Sequence, residues 1–191
     1  MKKLDKRSEI IQAALNLIVE YGFHGASMAM IGEKAVVGAG TIYHYFESKD
    51  ALINALYQEI EKKVLVALQE GYPVSKPIRE RFIHIGTTLL KYFISNPLYF
   101  RYIEQYHYSP YGVSLRRDRL LGKDSDHNMF RDFFEEGITQ RVIKDLPLTM
   151  LLALSFGPLV ALARDHTLGF IILDDPLISK VVEACWDGIR R

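Results

Sequence analysis

A short run of residues beyond position 40 carries side chains that both pack and form hydrogen bonds. Thr41, Tyr43, His44 and Tyr45 lie close together, and Lys49 follows about one helical turn later. Hydroxyl, phenol and imidazole groups form hydrogen bonds with base edges and phosphate oxygens, and the ammonium group adds a positive charge. These residue types suit recognition of a hydrogen-bonding partner.

The elements around this run have the order of a helix-turn-helix. Apolar residues over 10–21 mark one face of a first helix, which we expect to end at Gly22. Ser27 can cap a short helix that runs to Ala35. After a tight break, residues 39–46 predict a second short helix.

The second short helix has a narrow entry and one inward face. Ala39, Gly40 and Thr41 are small, which lets the helix approach base edges closely. Ile42 and Phe46 lie four residues apart, so we expect both to face inward and to hold the unit together. The outer surfaces then carry the hydrogen-bonding residues: Thr41, Tyr43, His44 and Tyr45.

At these residues the chain resembles the TetR family of bacterial transcriptional regulators. The run GTIYHYFESKDAL over 40–52 is close to the family signature GTLYYHF-x-SK-x-x-L. Upstream, Tyr21-Gly22-Phe23 followed by Ser27 and Ile31 has the family's spacing. The motif covers roughly the first quarter of the chain, and beyond it the resemblance is one of length and helical pattern.

The resemblance implies a role for each residue of a DNA-binding set. Thr41 and His44 are implied as base-edge contacts, with Ala39 and Gly40 at the entry of the same helix. Phosphate contacts are implied for Ser27, Tyr43, Tyr45 and Lys49. A helix that begins at Lys49 also presents backbone N–H groups to a phosphate. Considered singly, Tyr43 could pack, His44 could be an ordinary surface residue, and Lys49 could be a solvated charge.

Four positions depart from the family pattern. Val36 replaces a glycine at the turn, and a β-branched residue disfavours a positive φ, so we expect a turn that is distorted or built differently. Gly38 replaces a capping polar residue, Ala39 a polar or basic one, and Gly32 an alanine. We therefore expect sequence readout to rest on few direct hydrogen bonds.

Composition and charge limit the class of protein. The chain has 191 residues, a formal net charge of +1 and a single cysteine, Cys185. One cysteine excludes an intrachain disulfide framework and a Cys-rich zinc module, which is consistent with a reducing cytoplasm. The N-terminal residues run straight into an amphipathic helix without an apolar stretch, so we expect no signal peptide and a cytoplasmic protein.

Positive charge in the first 49 residues is clustered at the N-terminus. Six Lys and Arg residues face five acids there, and four of the six lie between Lys2 and Arg7. Such an arm can reach phosphates that flank a DNA site and make binding depend on salt. A frayed solubilising tail is the equally open alternative.

The rest of the chain carries helix signals almost throughout. Apolar residues recur at helical spacing over 52–68 and 78–93, and another apolar face lies over 130–138. The last helix follows Asp174 and Pro176, which suit an N-cap and a first turn. We therefore predict an all-α fold of about nine helices.

We predict two domains and a homodimer. The DNA-binding domain spans 1–49, and an effector-binding and dimerisation domain spans 50–191. The segments 148–163 and 177–189 carry more apolar surface than ordinary outer helices need, so we expect them to form a four-helix dimer interface, as the resemblance also implies. Two-fold symmetry doubles the DNA site on a roughly palindromic operator.

One apolar segment is long enough to raise the question of a membrane. Residues 146–163 hold no charge over 18 positions, which is the lower limit for a spanning helix. The segment contains Pro147 and the Gly157-Pro158 pair, and charged residues flank it on both sides. We expect a helix that is buried in protein and no membrane contact.

Aromatic residues concentrate in the middle of the chain, with six in the 13 residues from Tyr99 to Tyr111. Tyrosine combines an apolar face with a polar tip, which suits a pocket for an apolar or aromatic small molecule. The predicted ligand contacts are Tyr92, Phe93, Tyr102, Tyr106, Phe130, Phe133 and Phe156. For each of them, packing in the core is the alternative. Glu104, Glu135 and Glu136 could pair with a cationic effector or belong to a charged surface.

The function that follows is a repressor whose ligand releases it from its operator. The helix from Asp50 to Glu70 leaves the DNA-contacting motif, so we expect it to transmit the effect of ligand binding. An open alternative is a helical small-molecule-binding protein, or an enzyme, with a vestigial helix-turn-helix. The sequence contains neither HExxH nor GxSxG, so we expect no catalytic residues, no metal and no cofactor.

Overall fold

The computed structural model describes residues 5–120 and 129–191. Within these residues it contains ten helices and no strand, apart from an isolated bridge between Ile143 and Arg190. The all-α prediction is confirmed, with one helix more than the expected number. The helices are α1 Lys6–Gly25, α2 Met28–Lys34, α3 Ala39–Tyr45, α4 Lys49–Gln69, α5 Ile78–Ser95, α6 Pro97–His107, α7 Pro110–Leu120, α8 Met129–Thr139, α9 Leu148–Thr167 and α10 Asp175–Ile189.

The chain divides into two compact units. Unit 1 consists of the described residues within Met1–Lys63 and Asn96–Lys123, and unit 2 of those within Val64–Ser95 and Asp124–Arg191. Helix α4 contributes residues to both. These compact units do not test the predicted boundary between the DNA-binding and effector-binding domains at residues 49 and 50, which stays a prediction.

Local signals determine how α1 begins and ends. Asp5 caps the helix, since its Oδ1 accepts a hydrogen bond from the Ser8 N–H at 2.7 Å. The regular helix stops at Gly22, as predicted, because this residue has φ +73° and a further turn then runs to Gly25. Near this point the Val19 carbonyl accepts hydrogen bonds from the side chains of Arg101 and Gln105. Helix α6 is thereby attached to the end of α1.

Unit 1 has an apolar core made by α1 to α4 together with tyrosines of α6. The turn from α6 to α7 is tight, and Gly112 on α7 lies against the backbone of α6. A Cβ added at Gly112 would lie 2.2 Å from the Tyr106 carbonyl oxygen and 2.6 Å from His107 Cα. Only glycine fits at this crossing.

We expect Gly112→Ala to lower the free energy of unfolding by about 3 kcal/mol, because backbone atoms cannot yield to the added methyl group. Urea denaturation followed by circular dichroism measures the change. Ser114→Ala is the matched control, since Ser114 is exposed on the same helix and its substitution should change stability by less than about 0.5 kcal/mol. Equal stability of the two variants would contradict the close approach.

Unit 2 is built on α5, α9 and α10, with aromatic residues of α8 added. Phe82 contacts Phe133, Phe156 and Trp186, with ring centroids 5.5 to 6.3 Å apart. Beside this cluster the largely buried Arg81 donates two hydrogen bonds of 2.8 Å to the Glu136 carboxylate. Glu136 thus pairs within its own unit.

Helix α9 has one buried side and one exposed side. Its buried residues are Leu151, Ser155, Phe156, Leu159 and Ala163. By length and composition alone, α9 is a helix that could cross a membrane. It packs against α5 and α10 on one side, and the opposite apolar side is exposed in the single chain, so the expected burial holds for one side only.

Candidate nucleic-acid interface

The two short helices form as the local sequence predicts. Ser27 caps α2, and its Oγ accepts from the Met30 N–H at 3.2 Å. Gly38 is the N-cap of α3 and provides no side-chain hydrogen bond there. Both helices are seven residues long, so their position depends on packing against α1 more than on their own helical stability.

The turn between α2 and α3 keeps a left-handed residue although that residue is valine. Val36 has φ +52°, its N–H donates to the Glu33 carbonyl, and the Val37 N–H donates to the Gly32 carbonyl at 2.9 Å. This pair of bonds is a Schellman motif with Val36 in the position that normally favours glycine. The expectation of a differently built turn is therefore wrong, because these two bonds and the packing of α3 hold Val36 in a strained conformation.

Replacing Val36 by glycine is expected to raise the free energy of unfolding by about 1 kcal/mol. The steric strain of a β-branched residue at positive φ is larger than the stability lost because glycine makes the unfolded chain more flexible. Little packing is lost, because Val36 is 84% exposed. Val74→Gly serves as the control: Val74 is also exposed and has no positive φ. Thermal or urea unfolding should show that Val36→Gly is more stable than the wild type and that Val74→Gly is not. A lower stability of both variants would argue against strain at Val36.

Gly32 explains another departure from the family pattern. A Cβ at this position would lie 3.1 Å from the Val37 carbonyl oxygen and 3.2 Å from Ile42 Cδ1. Since both distances are shorter than ordinary van der Waals contact, Gly32 lets α2 and α3 pack closely. The sequence alone gave no reason for this glycine.

Helix α3 has the two faces that its spacing predicts. Ile42 and Phe46 are buried in the core of unit 1, whereas Tyr43, His44 and Tyr45 are exposed. The rings of His44 and Tyr45 contact each other edge to face, with centroids 5.3 Å apart. At the entry of the helix Ala39 and Gly40 are exposed and Thr41 is half-buried. The residues with hydrogen-bonding side chains thus occupy one accessible surface.

The beginning of α4 extends this surface. Ser48 caps the helix by accepting from the Ala51 N–H at 3.1 Å, and Lys49 is its first residue. Ser27 is exposed at the start of α2. Backbone N–H groups of the first turn, together with the ammonium group of Lys49, make the start of α4 attractive to an anion.

The two described residues of the N-terminal basic cluster are paired with acids. Lys6 pairs with Glu9 at 2.8 Å, and Arg7 pairs with Glu59 of α4. The Arg7 guanidinium also lies 5.3 Å from the centroid of the Phe46 ring. Arg7 therefore stabilises the packing of α1 on α4. Lys2 and Lys3 lie outside the described residues, so the arm stays a prediction.

Tyrosines of α6 and α7 hold one side of α4, a feature that sequence reasoning missed. The Tyr102 hydroxyl donates to the Ile53 carbonyl at 2.7 Å, and the Tyr106 hydroxyl donates to Asn54 Oδ1 at 2.8 Å. Burial raises the pKa of the Tyr102 phenol, which keeps it a donor. Two predicted ligand contacts thus have structural hydrogen bonds to α4.

A third tyrosine holds the first turn of α4. The Tyr111 hydroxyl donates to Asp50 Oδ1 at 2.6 Å, and this hydrogen bond raises the pKa of Tyr111 to about 12. Asp50 follows directly after Lys49, so α7 contributes to the position of the proposed phosphate contact.

Farther along α4, Tyr57 and Glu61 continue the polar side. Tyr57 stacks on Tyr106 with ring centroids 3.9 Å apart, and Glu61 pairs with Arg119 at 2.8 Å. Residues 50, 54, 57 and 61 of α4 recur at helical spacing. This polar periodicity was the sequence signal for partners along one side of α4, although no neighbouring residue indicates which helix provides them.

The predicted ligand contacts divide between the two units. Tyr102 and Tyr106 lie in unit 1, whereas the other five belong to unit 2: Tyr92, Phe93, Phe130, Phe133 and Phe156. Within unit 2, Phe156 contacts Phe130, with centroids 5.2 Å apart, and both Phe133 and Phe156 contact Phe82. The ligand assignment stays a prediction for all seven.

Two sequence families match most of the chain. Residues 10–56 match the bacterial regulatory proteins of the tetR family, and residues 77–190 match the C-terminal domain of tetracyclin repressor-like proteins. The chain belongs to the TetR family. It is therefore a transcriptional regulator with a DNA-binding helix-turn-helix, as the resemblance at residues 40–52 predicted, and its family is not one of enzymes.

Relatives match this TetR-family chain over nearly its whole length. An HTH-type transcriptional regulator of Haemophilus influenzae is 23% identical over 189 residues, which cover 99% of this chain and 98% of the relative. The structure of a TetR family protein from Vibrio parahaemolyticus is 32% identical, with a TM-score of 0.76 over 98% of this chain and 100% of that one. A TetR-family structure from Marinobacter aquaeolei, 22% identical, has a TM-score of 0.83 over 97% and 95% of the two chains.

Proposed function

We propose that this TetR-family regulator is a cytoplasmic repressor that acts as a homodimer on a roughly palindromic operator and leaves the DNA when a small apolar or aromatic ligand binds. The observation that carries the proposal is the accessible surface of α3 and the start of α4. Ile42 and Phe46 fix this surface from inside, while its hydrogen-bonding side chains face outward. Bacterial transcription takes place in the cytoplasm, so the protein acts there.

Helix α3 enters the major groove and reads base edges. Thr41 and His44 provide the hydrogen-bonding groups, and the small residues Ala39 and Gly40 let the start of the helix approach the bases. Few side chains on this surface can form direct hydrogen bonds with bases. Specificity therefore depends strongly on His44 and Thr41.

Phosphate contacts surround the reading helix. Tyr43 and Tyr45 project from α3, and Lys49 with the first N–H groups of α4 binds a phosphate. Ser27 uses its Oγ as the acceptor that caps α2. Its hydroxyl proton remains a donor for a phosphate oxygen.

The dimer forms through α9 and α10. Helix α9 exposes Met150, Leu154 and Ala161, and α10 exposes Leu177 and Ala184. Residues four or seven apart share a helix face, so each helix presents an apolar stripe away from the core of unit 2. Pairing the two stripes with those of a second copy covers them in a four-helix interface.

The ligand acts through α4. This helix begins at the DNA-contacting surface with Lys49, and its last residues, from Val64 on, belong to unit 2. Tyrosines on α6 and α7 fix its position in unit 1. A ligand that binds more tightly to a shifted position of α4 changes the spacing of the two α3 helices and weakens DNA binding by the same coupling free energy.

The first experiment is selection of random duplex DNA by the purified protein, followed by salt titration on the enriched site. The proposal expects a two-fold symmetric sequence whose binding weakens steeply with salt. Enrichment of an asymmetric site, or of none at low salt with folded protein, would contradict it. A small molecule chosen because it raises the melting temperature is then added to the complex. Unchanged operator affinity would contradict the coupling step alone.

A further inference from the structure

The loop between α9 and α10, residues 168–173, exposes large apolar side chains to solvent. Phe170 is 74% exposed and Ile172 is 85% exposed, and Leu168 beside them is also exposed. Burying a phenylalanine removes roughly 150 Å² or more of surface from water. The loop therefore leaves substantial apolar area uncovered in the single chain.

Hydrogen bonds hold this loop in one conformation. Gly169 has φ +79°, the Gly169 N–H donates to the His166 carbonyl, and the Phe170 N–H donates to the Asp165 carbonyl at 2.9 Å. At the other end the Leu173 N–H donates to His166 Nδ1 at 3.2 Å, and Leu173 is buried. The exposed side chains are thus carried by a backbone that is fixed at both ends.

The chain itself offers Phe170 no apolar partner at the expected place. In a Schellman motif the residue in the position of Phe170 frequently packs on the residue five or six positions earlier. Here those residues are Asp165 and Arg164, which are both charged. Phe170 consequently stays in solvent, although its backbone is ordered by the motif.

The loop continues the apolar stripe of α9. Leu154, Ala161 and Leu168 are all exposed and lie seven residues apart on one side of the helix. Much of that side consists of small residues, including Ala153, Gly157 and Ala161. Small residues let two helices approach closely but contribute little apolar area, whereas a stable interface buries about 800 Å² on each partner.

We propose that the α9–α10 loop is a dimer arm that packs against a second copy of this chain, next to the helix interface. The inference rests on the proposed dimer and adds a surface to it. Phe170 and Ile172 add large apolar side chains next to a stripe in which Leu154 and Leu168 alternate with small residues. Because a two-fold interface uses the same residues on both copies, each dimer buries two such loops.

The first test is the dissociation constant of the dimer for the double variant Phe170→Ser with Ile172→Ser, measured by sedimentation on the full chain. We expect a rise of at least about 100-fold, because four large apolar side chains per dimer lose their burial. Val74→Ser, which removes another exposed apolar side chain from a loop of unit 2, is the matched control and should leave the constant unchanged. A change of less than about twofold in the double variant would overturn the inference.

The second test does not depend on how well the double variant folds. In a Cys185→Ala background, Ile172→Cys is labelled with a thiol reagent at protein concentrations above and below the dissociation constant. We expect labelling at least about tenfold slower in the dimer, since burial restricts access to the thiol. Val74→Cys should react at the same rate in both conditions. Equal rates at position 172 would overturn the inference.

Failure of the arm and failure of the dimer give different results. If the wild-type chain stays monomeric at all concentrations, the proposed dimer is wrong and the arm fails with it. If the wild type dimerises and Leu154→Arg separates it while the loop variants do not weaken it, the helix interface stands and only the arm is wrong.

Discussion

Leu154→Arg is expected to convert the proposed dimer into monomers and to abolish operator binding. Leu154 lies in the exposed apolar stripe of α9 and is 45% exposed in the single chain. In a two-fold interface each arginine approaches the same region of the partner, so the variant buries like charges close to each other. We expect the dissociation constant to rise by at least about 1000-fold.

The loss of DNA binding follows from the loss of the second reading helix. In the proposed complex one α3 contacts a single half-site, and the second copy provides the contacts that make the affinity specific. The substitution adds a positive charge, which by itself favours DNA. A fall in operator affinity therefore cannot be attributed to altered net charge.

Sedimentation and fluorescence anisotropy on a labelled operator measure the two effects on the same preparation. Val66→Arg is the matched control, since Val66 is an exposed apolar residue on the long helix α4. Both variants should keep their helical circular dichroism, because neither side chain is buried in the single chain. A Leu154→Arg protein that remains dimeric would show that another surface joins the two copies.

The helix-turn-helix could be predicted from sequence because its determinants are local. Ser27 caps α2 by a bond to a residue three positions away, and Gly22 interrupts α1 through its own φ. Ile42 and Phe46 face the core because they lie one turn apart on one helix. None of these features requires knowledge of a distant part of the chain.

The turn at Val36 shows where local reasoning failed. A β-branched residue argues against positive φ, yet two backbone hydrogen bonds and the close packing allowed by Gly32 impose that conformation. The propensity of one residue is worth only about 1 to 2 kcal/mol, which the packing of three helices outweighs.

The arrangement of α6 and α7 in unit 1 could not be predicted for a different reason. Tyrosine is typical of ligand pockets, so Tyr102 and Tyr106 were predicted to line one. Their hydroxyl groups instead bond to residues of α4 that lie 49 and 52 positions earlier in the chain. Gly112 permits the close turn between α6 and α7, but a glycine in a helix has many explanations. Contacts at such separations depend on topology, which periodicity does not specify.

Lys49→Gln and His44→Ala are expected to weaken DNA binding in two distinguishable ways. Lys49 contacts a phosphate in our proposal, so its removal weakens binding to all sequences alike. One phosphate contact in each subunit contributes about 0.9 to the slope of log affinity against log salt, so the dimer should lose about 1.8. Lys62→Gln removes the same charge from an exposed position farther along α4 and should leave the slope unchanged.

His44 reads a base edge in our proposal, so its removal should reduce discrimination rather than salt dependence. A hydrogen-bonded base contact is worth about 1 to 3 kcal/mol, and the dimer has two of them, so the preference for the operator over unrelated duplex should fall by about 100-fold. The salt slope should change little, because a contact to a base edge neutralises no phosphate. If His44→Ala instead lowers affinity for operator and unrelated DNA equally, then His44 contacts the backbone, and Thr41 with the shape of the DNA must carry the specificity.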